Sequence, residues 1–165
     1  MSEPAKSFKV AEVPASWRLA SGDLPDVNVW LALSYAPHPF HARATAYWQE
    51  ACTSNRPLWF CRSTMLALVR LLAQPKVMGT DVLSLPSAMA VYQQWLSTPA
   101  VGLLLEPLGL EAHVQSLLGT DTAPLPKHLW TDAWLAATAE AAGLRMVTFD
   151  QDFERFNLSR LQVLA

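Results

Sequence analysis

Three aspartates carry the chemistry that this sequence offers: Asp26 in L-P-D-V-N-V-W, Asp132 in L-W-T-D-A-W-L-A-A and Asp150 in M-V-T-F-D-Q-D-F. Each stands in an otherwise apolar stretch. A carboxylate among buried side chains costs free energy unless it is paired, hydrogen-bonded or on a metal. Three such groups brought together repel one another. A hard divalent cation with oxygen ligands, Mg²⁺ or Mn²⁺, is the usual remedy. The pattern therefore points to a metal-dependent phosphoryl-transfer site. Simpler roles exist for each acid: Asp26 as a helix N-cap, Asp132 as a first-turn acid facing the helix dipole, Asp150 as a turn residue at a strand exit. His38, His41, His113 and His128 show no metal-ligand spacing such as H-x-x-x-H, and none is assigned to a metal.

The elements that must position these acids alternate between helix and strand. Residues 27–35 read as a helix, closed by Pro37. Residues 39–52 form an amphipathic stretch in which Phe40, Ala44, Tyr47, Trp48 and Ala51 recur at helical spacing. Residues 57–61 read as a short apolar strand, followed by a helix to residue 72 capped by Ser63 or Thr64. A loop is expected over 76–81, a helix over 86–96 with Pro86 in its first turn, and a strand over 101–105. A helix over 110–118, a proline-bearing loop over 120–126 and a long helix over 127–142 follow, the last with Gly143 as its C-cap. Strands over 144–149 and 161–164 complete the pattern. This predicts an α/β fold with a mainly parallel sheet covered by helices on both faces. Ligands in such sheets bind at the carboxyl ends of strands, where Asp26 and Asp150 are placed.

At 165 residues the chain has room for one domain with a proper core. Residues 1–20 read as an N-terminal extension and 21–165 as the domain. Only 16% of residues are charged and the net charge is −2, so any nucleic-acid contact must use a local patch. Seven tryptophans are available for the core or an interface, and the Trp130/Trp134 pair reads as packing rather than as a base-stacking platform. Cys61, in the apolar run P-L-W-F-C, reads as a buried free thiol. No apolar run of about 18 residues suggests a membrane span, and the first residues lack the apolar core of a secretion signal. A cytoplasmic location is expected.

The motifs resemble those of the PIN-domain ribonucleases, and within them the VapC-type toxins of bacterial toxin–antitoxin pairs. The resemblance runs from Leu24 to Leu164. D-V-N-V-W-L-A-L looks like the first family motif, T-D-A-W-L-A-A-T-A the central one and V-T-F-D-Q-D-F the last, while W-F-C-R-S-T-M-L-A-L-V-R-L-L followed by P-K-V-M-G resembles one branch of VapC-like sequences. The resemblance implies a three-layer sandwich. It also implies Mg²⁺ or Mn²⁺ on Asp26, Asp132 and Asp150, with Asp152 as a further ligand. Asn28, Thr64 and Thr148 become supporting polar groups, and Arg62 and Arg70 possible RNA contacts. An RNA substrate cut to 5′-phosphate and 3′-hydroxyl ends, a homodimer and a VapB-like antitoxin follow from the same resemblance.

Two departures stand out. Where the family carries a glutamate three residues before Arg70, this chain has Ala67, and no acid occurs between Glu50 and Asp81. Pro25 precedes the first aspartate and removes a backbone donor, so the first strand must be short. The missing glutamate leaves open a non-catalytic PIN-like module that binds RNA or a partner protein. An unrelated receiver-like or haloacid-type phosphotransferase fits poorly, because it would want a D-x-D motif with a distant lysine or an acid pair just before the phospho-accepting aspartate, and Asp23 and Asp26 do not match.

Overall fold

The computed structural model describes residues 21–120 and 122–164; the expected N-terminal extension lies outside them. Helix α1 (Val27–Ser34) follows strand β1 (Asp23–Pro25) directly, and α2 (His41–Thr53) leads to β2 (Leu58–Phe60). Then come α3 (Arg62–Leu72), α4 (Pro75–Met78), α5 (Leu85–Leu96) and β3 (Val101–Leu103). Helix α6 (Leu110–Leu117), the two-residue strands β4 (Gly119–Thr120) and β5 (Ala123–Pro124), and α7 (Trp130–Ala142) precede β6 (Arg145–Thr148) and β7 (Leu161–Val163).

The central sheet has five strands in the order β3-β2-β1-β6-β7, and every neighbouring pair is parallel. Parallel neighbours require crossovers, and the helices supply them on both faces. The pleat sorts the core. Along β6, Val147 faces the side covered by α1, α2, α3 and α5, with Trp30, Phe60, Leu68 and Tyr92. Met146 faces the side covered by α7, with Leu24, Ala136, Ala139 and Phe153. This is the three-layer α/β sandwich expected from the alternation. Trp30 and Phe60 are fully buried and stack at 3.8 Å between ring centroids. Burying each ring contributes roughly 1.5–3 kcal/mol.

Strand β1 is the middle of the sheet although it ends on a proline. Pro25 pairs with Val147 without a donor of its own, and the ladder resumes at once because Asp26 N donates to Val147 O at 2.8 Å. The strand is short, as Pro25 demands. Gly143 ends α7 in the left-handed conformation, with φ of 68°, as the sequence predicts.

Three local expectations are corrected. The loop expected over 76–81 is instead α4, started by Pro75 at its first helical position, followed by a 3₁₀ turn over Gly79–Asp81. The proline-bearing loop over 120–126 contains the β4–β5 pair. Helix α3 is capped by Cys61, not by Ser63 or Thr64. Thr64 sits at the third helical position, where its hydroxyl accepts from Cys61 N at 3.0 Å and donates to Cys61 O at 3.1 Å. A capping box reaches back from that position to the cap, so the hydroxyl that looked like a cap is the reciprocal half of one.

Candidate metal centre

Asp26 is the last thing β1 does before the chain turns into α1. It is the N-cap of that helix: Oδ1 accepts from Val27 N at 2.6 Å. Its other oxygen accepts from the Thr148 hydroxyl at 2.9 Å. The helix-cap role and the site role are therefore one placement, since a cap at the end of a central strand lies on the ligand-binding edge of the sheet.

Thr148, at the end of β6, is the hub. Its hydroxyl donates to Asp26 and accepts from Asn28 Nδ2 and from Asp150 N, both at 3.0 Å. One donor and two lone pairs are all a hydroxyl has, so the group is saturated and its orientation is determined. Asn28 Oδ1 in turn accepts from Phe149 N at 3.3 Å. Asp150 Oδ1 accepts from Asp152 N at 2.8 Å, which starts the 3₁₀ turn Gln151–Phe156. These bonds, made by Asn28 and Thr148, tie the first and last motifs together across β1 and β6.

Asp132 arrives from the other layer, on the first turn of α7. Its proximity is registered electrostatically. Burial pushes the Asp26 carboxyl up to about 6, against the hydrogen bonds from Thr148 and Val27, and the charges of Asp132 and Asp150 add to the rise. Burial also raises Asp132, with Asp150 and Asp152 adding and His128 opposing. The four acids share one field, and no lysine or arginine is paired with Asp26, Asp132 or Asp150 among the described residues. Asp152 is paired with Arg155 at 3.4 Å, an exposed contact of little energetic weight.

Among the described residues, no three acids, histidines or cysteines close into a compact ligand cluster. The donor set still suits a small hard cation. All its atoms are oxygens, and Mg²⁺ keeps several waters while taking only one or two carboxylates. A carboxylate raised by burial, with its acidic neighbours adding, is what such an ion relieves.

Among the described residues, the remaining candidates make no hydrogen bond or ion pair to these acids. Thr64 is buried and its hydroxyl is occupied at the α3 cap. Ala67 is half-buried along α3, with no acid in its place. Arg62 opens α3 and is exposed. Arg70, in the last turn of α3, edges an apolar groove lined by Met65, Leu66, Val69, Leu85 and Met89. Trp130 and Trp134 are 5.9 Å apart, and Trp130 is 48% exposed, so this pair is only partly packing.

One buried acid escaped sequence reasoning as a feature of its own. Asp23, 1% exposed at the start of β1, accepts from Arg145 Nε at 2.9 Å and Nη2 at 2.7 Å, and from the Tyr47 hydroxyl at 2.8 Å. Arg56 Nε lies 3.4 Å away. Its partners are distant in sequence and only the sheet register brings them together.

A profile of the PIN domain matches residues 24–158. The chain is 36% identical over 146 residues to the ribonuclease VapC41 of Mycobacterium tuberculosis, an alignment covering 86% of this chain and 98% of that one. Among solved structures it resembles VapC20 of Mycobacterium tuberculosis, a sarcin-ricin loop cleaving toxin, with a TM-score of 0.57 at 19% identity, covering 83% of this chain and 96% of that one. It also resembles VapBC2 of Rickettsia felis, solved with a DNA fragment from its promoter, with a TM-score of 0.63 at 12% identity, covering 86% and 98% of the two chains. At these identities the two structures speak for the fold alone.

Proposed function

This chain belongs to the PIN-domain family, and we propose that it is a metal-dependent ribonuclease, the toxin of a VapBC-like toxin–antitoxin pair. One observation carries the reading. Asp26 is buried at the ligand edge of the sheet, raised to about 6 and flanked by Asp132 and Asp150, with no cationic side chain paired to it among the described residues. The 36% identity to a ribonuclease over most of the chain supports the same chemistry.

Asp26, Asp132 and Asp150 hold Mg²⁺ or Mn²⁺, with Asp152 able to add an oxygen. The ion, when bound, supplies positive charge for the scissile phosphodiester and for the leaving oxygen. Thr148 and Asn28 lock Asp26 and the backbone at Asp150 so that the carboxylates keep one geometry. Asp132 or Asp150 accepts the proton of the attacking water. Asp132 suits this role because burial and its acidic neighbours raise its basicity. Hydrolysis then leaves 5′-phosphate and 3′-hydroxyl ends.

The identity to a VapC ribonuclease also supports a VapB-like antitoxin as partner. A homodimer is part of the proposal. Leu66 and Leu85 are 60% and 64% exposed along the apolar α3–α5 groove, a face that a second copy would cover. No helix among the described residues is long and apolar enough to cross a membrane, and a cytoplasmic setting fits a toxin that cuts cellular RNA.

The test is cleavage of labelled tRNA and of an rRNA hairpin with Mg²⁺ or Mn²⁺, beside EDTA, Asp26→Asn and Asp132→Asn. Cutting should require metal and fall at least 10³-fold in either variant, which corresponds to about 4 kcal/mol of transition-state stabilisation. Cutting that persists at the wild-type rate in either variant would overturn the site. Absence of cutting by folded protein on every RNA would favour a PIN-like binding module instead.

A further inference from the structure

The sheet edge that carries the aspartates has a second opening, where β2 and β3 end. A cavity of about 240 Å³ lies there, lined by Arg62 at the start of α3, Leu104 and Glu106 after β3, Leu110 on α6 and Trp134 on α7. β2 is the neighbour of β1 in the parallel sheet, so the cavity at the ends of β2 and β3 lies on the same carboxyl edge as Asp26, and Trp134 of α7 forms its aromatic wall. The cavity is smaller than the roughly 300–1,000 Å³ of sites for drug-sized ligands. It suits one planar group rather than a length of chain.

Its polar groups are sparse and specific. The Thr138 hydroxyl, also in the wall, is spent on Trp134 O at 2.8 Å, and the Ser63 hydroxyl lies 3.0 Å from Cys61 Sγ. Arg62 and Glu106 remain. Neither is in an ion pair among the described residues, although they carry opposite charges and line one cavity. The ligand must therefore offer acceptors to Arg62, donors to Glu106 and a flat face to Trp134. A phosphate would face the carboxylate of Glu106, and a cationic peptide side chain would face Arg62. Among the RNA bases, guanine alone places two neighbouring N–H donors, at N1 and N2, on one edge, with O6 and N7 as acceptors beside it. Adenine and cytosine put an acceptor next to their amino group, and uracil flanks its single N–H with two carbonyls. Arginine is the common partner of guanine O6 and N7. Unpaired RNA bases are read in this way, splayed out, stacked on an aromatic ring and bonded on their edges.

We propose that this cavity takes an unpaired guanine of the RNA, adjacent to the phosphate cut at the aspartates, with Glu106 reading N1–H and N2–H, Arg62 reading O6 and N7, and Trp134 stacking. The inference rests on the nuclease reading above and names the base that the same site selects.

The experiment uses the full chain and a set of labelled RNA hexamers differing at one flanking base: guanine, adenine, cytosine, uracil or abasic. Binding is measured by fluorescence anisotropy in EDTA, where chemistry is off, and cleavage is measured with Mg²⁺ or Mn²⁺. Wild type should favour guanine at one flanking position by about tenfold or more, the range of a bidentate base contact. Glu106→Gln and Glu106→Ala should bring that preference, taken as the ratio of guanine to abasic substrate within each variant, to within about threefold. Glu106 is exposed, so these variants should fold. A preference that survives in both variants, or no base preference at any flanking position, overturns the pocket while leaving the nuclease intact. Guanine-selective binding without cleavage keeps the pocket and removes the nuclease. RNA neither bound nor cut removes both.

Discussion

Strand β1 begins on one buried aspartate, Asp23, and is followed at once by another, Asp26, and the two ends treat their charge in opposite ways. Asp23 meets a bidentate arginine, a second arginine and a tyrosine hydroxyl. Burial, with Asp23 beside it, pushes the Tyr47 hydroxyl far above its ordinary range, so that it stays a donor. Asp26 meets only a backbone N–H and a threonine hydroxyl, and its nearest charged neighbours are further acids. Both carboxylates are nearly as buried as the core around them, at 1% and 8% exposure. Burial therefore does not separate a structural acid from a functional one. Compensation does: the end whose charge is balanced by the chain ties β1 to its neighbours, and the end left unbalanced is the one to which the proposed cation is assigned.

Removing the balanced acid should have the largest effect on stability. Asp23→Asn leaves Arg145 without its carboxylate partner and Arg56 with Glu50 alone. Breaking a fully buried pair costs about 3–5 kcal/mol. Both arginines are about a quarter exposed, at 27% and 25% of their side chains, so about 2–4 kcal/mol is expected after allowing for solvent screening. Urea denaturation at pH 7 reads it as a lower midpoint at unchanged slope. A loss below about 1 kcal/mol would mean that this end of β1 is no anchor.

The unbalanced end should show itself in pH dependence. Asp26 titrates at about 6 in the folded chain, above its ordinary value of 3.8. The folded state therefore holds a proton that the unfolded chain has released. Its contribution is fully present below about pH 4 and is lost as pH rises through 6. The step is about 3 kcal/mol, at 1.36 kcal/mol per pKa unit. Asp132, raised as well, adds to it in the same direction. Metal-free protein should lose stability between pH 4 and 7, and Asp26→Asn should flatten most of that slope while matching wild type near pH 4. An unchanged slope in the variant would place the titration elsewhere.

A smaller effect sharpens the same contrast. Thr148→Val removes the hydroxyl that satisfies Asp26, Asn28 and Asp150 N. The cost should be about 1–3 kcal/mol for the polar groups left unpaired. Because the Thr148 bond lowers the Asp26 carboxyl, its loss should move the pH step upward. A step that stays in place would remove Thr148 from the site.

The contrast also explains which parts were legible in the sequence. Asp26, Asp132 and Asp150 could be read because strand–helix alternation alone puts strand ends on one edge, and short-range motifs mark those ends. Asn28 and Thr148 could be read with them, being two residues from an acid in each case. Asp23 could not. Its partners stand 24, 33 and 122 residues away, and only the β1–β6 register and the packing of α2 bring them to it. The α3 cap was misplaced by a few residues because Ser63 and Thr64 are better capping types than cysteine, yet Thr64 serves the cap from inside the helix. The cavity that joins Arg62, Glu106 and Trp134 was hidden for the same reason as Asp23: three elements from three stretches of chain meet only when the sheet is assembled.

The most direct test of the unbalanced end is calorimetric titration of Mn²⁺ into metal-free protein at pH 6, in two buffers of different ionisation enthalpy, for wild type and Asp26→Asn. Ligands must be deprotonated to bind a metal, and Asp26 at about 6 is half-protonated there. Wild type should bind Mn²⁺ and release protons on binding, that of Asp26 among them, while Asp26→Asn should bind far more weakly and release none from this position. No Mn²⁺ binding by folded wild type, or the same binding and proton release in the variant, would contradict a cation at the carboxyl end of β1.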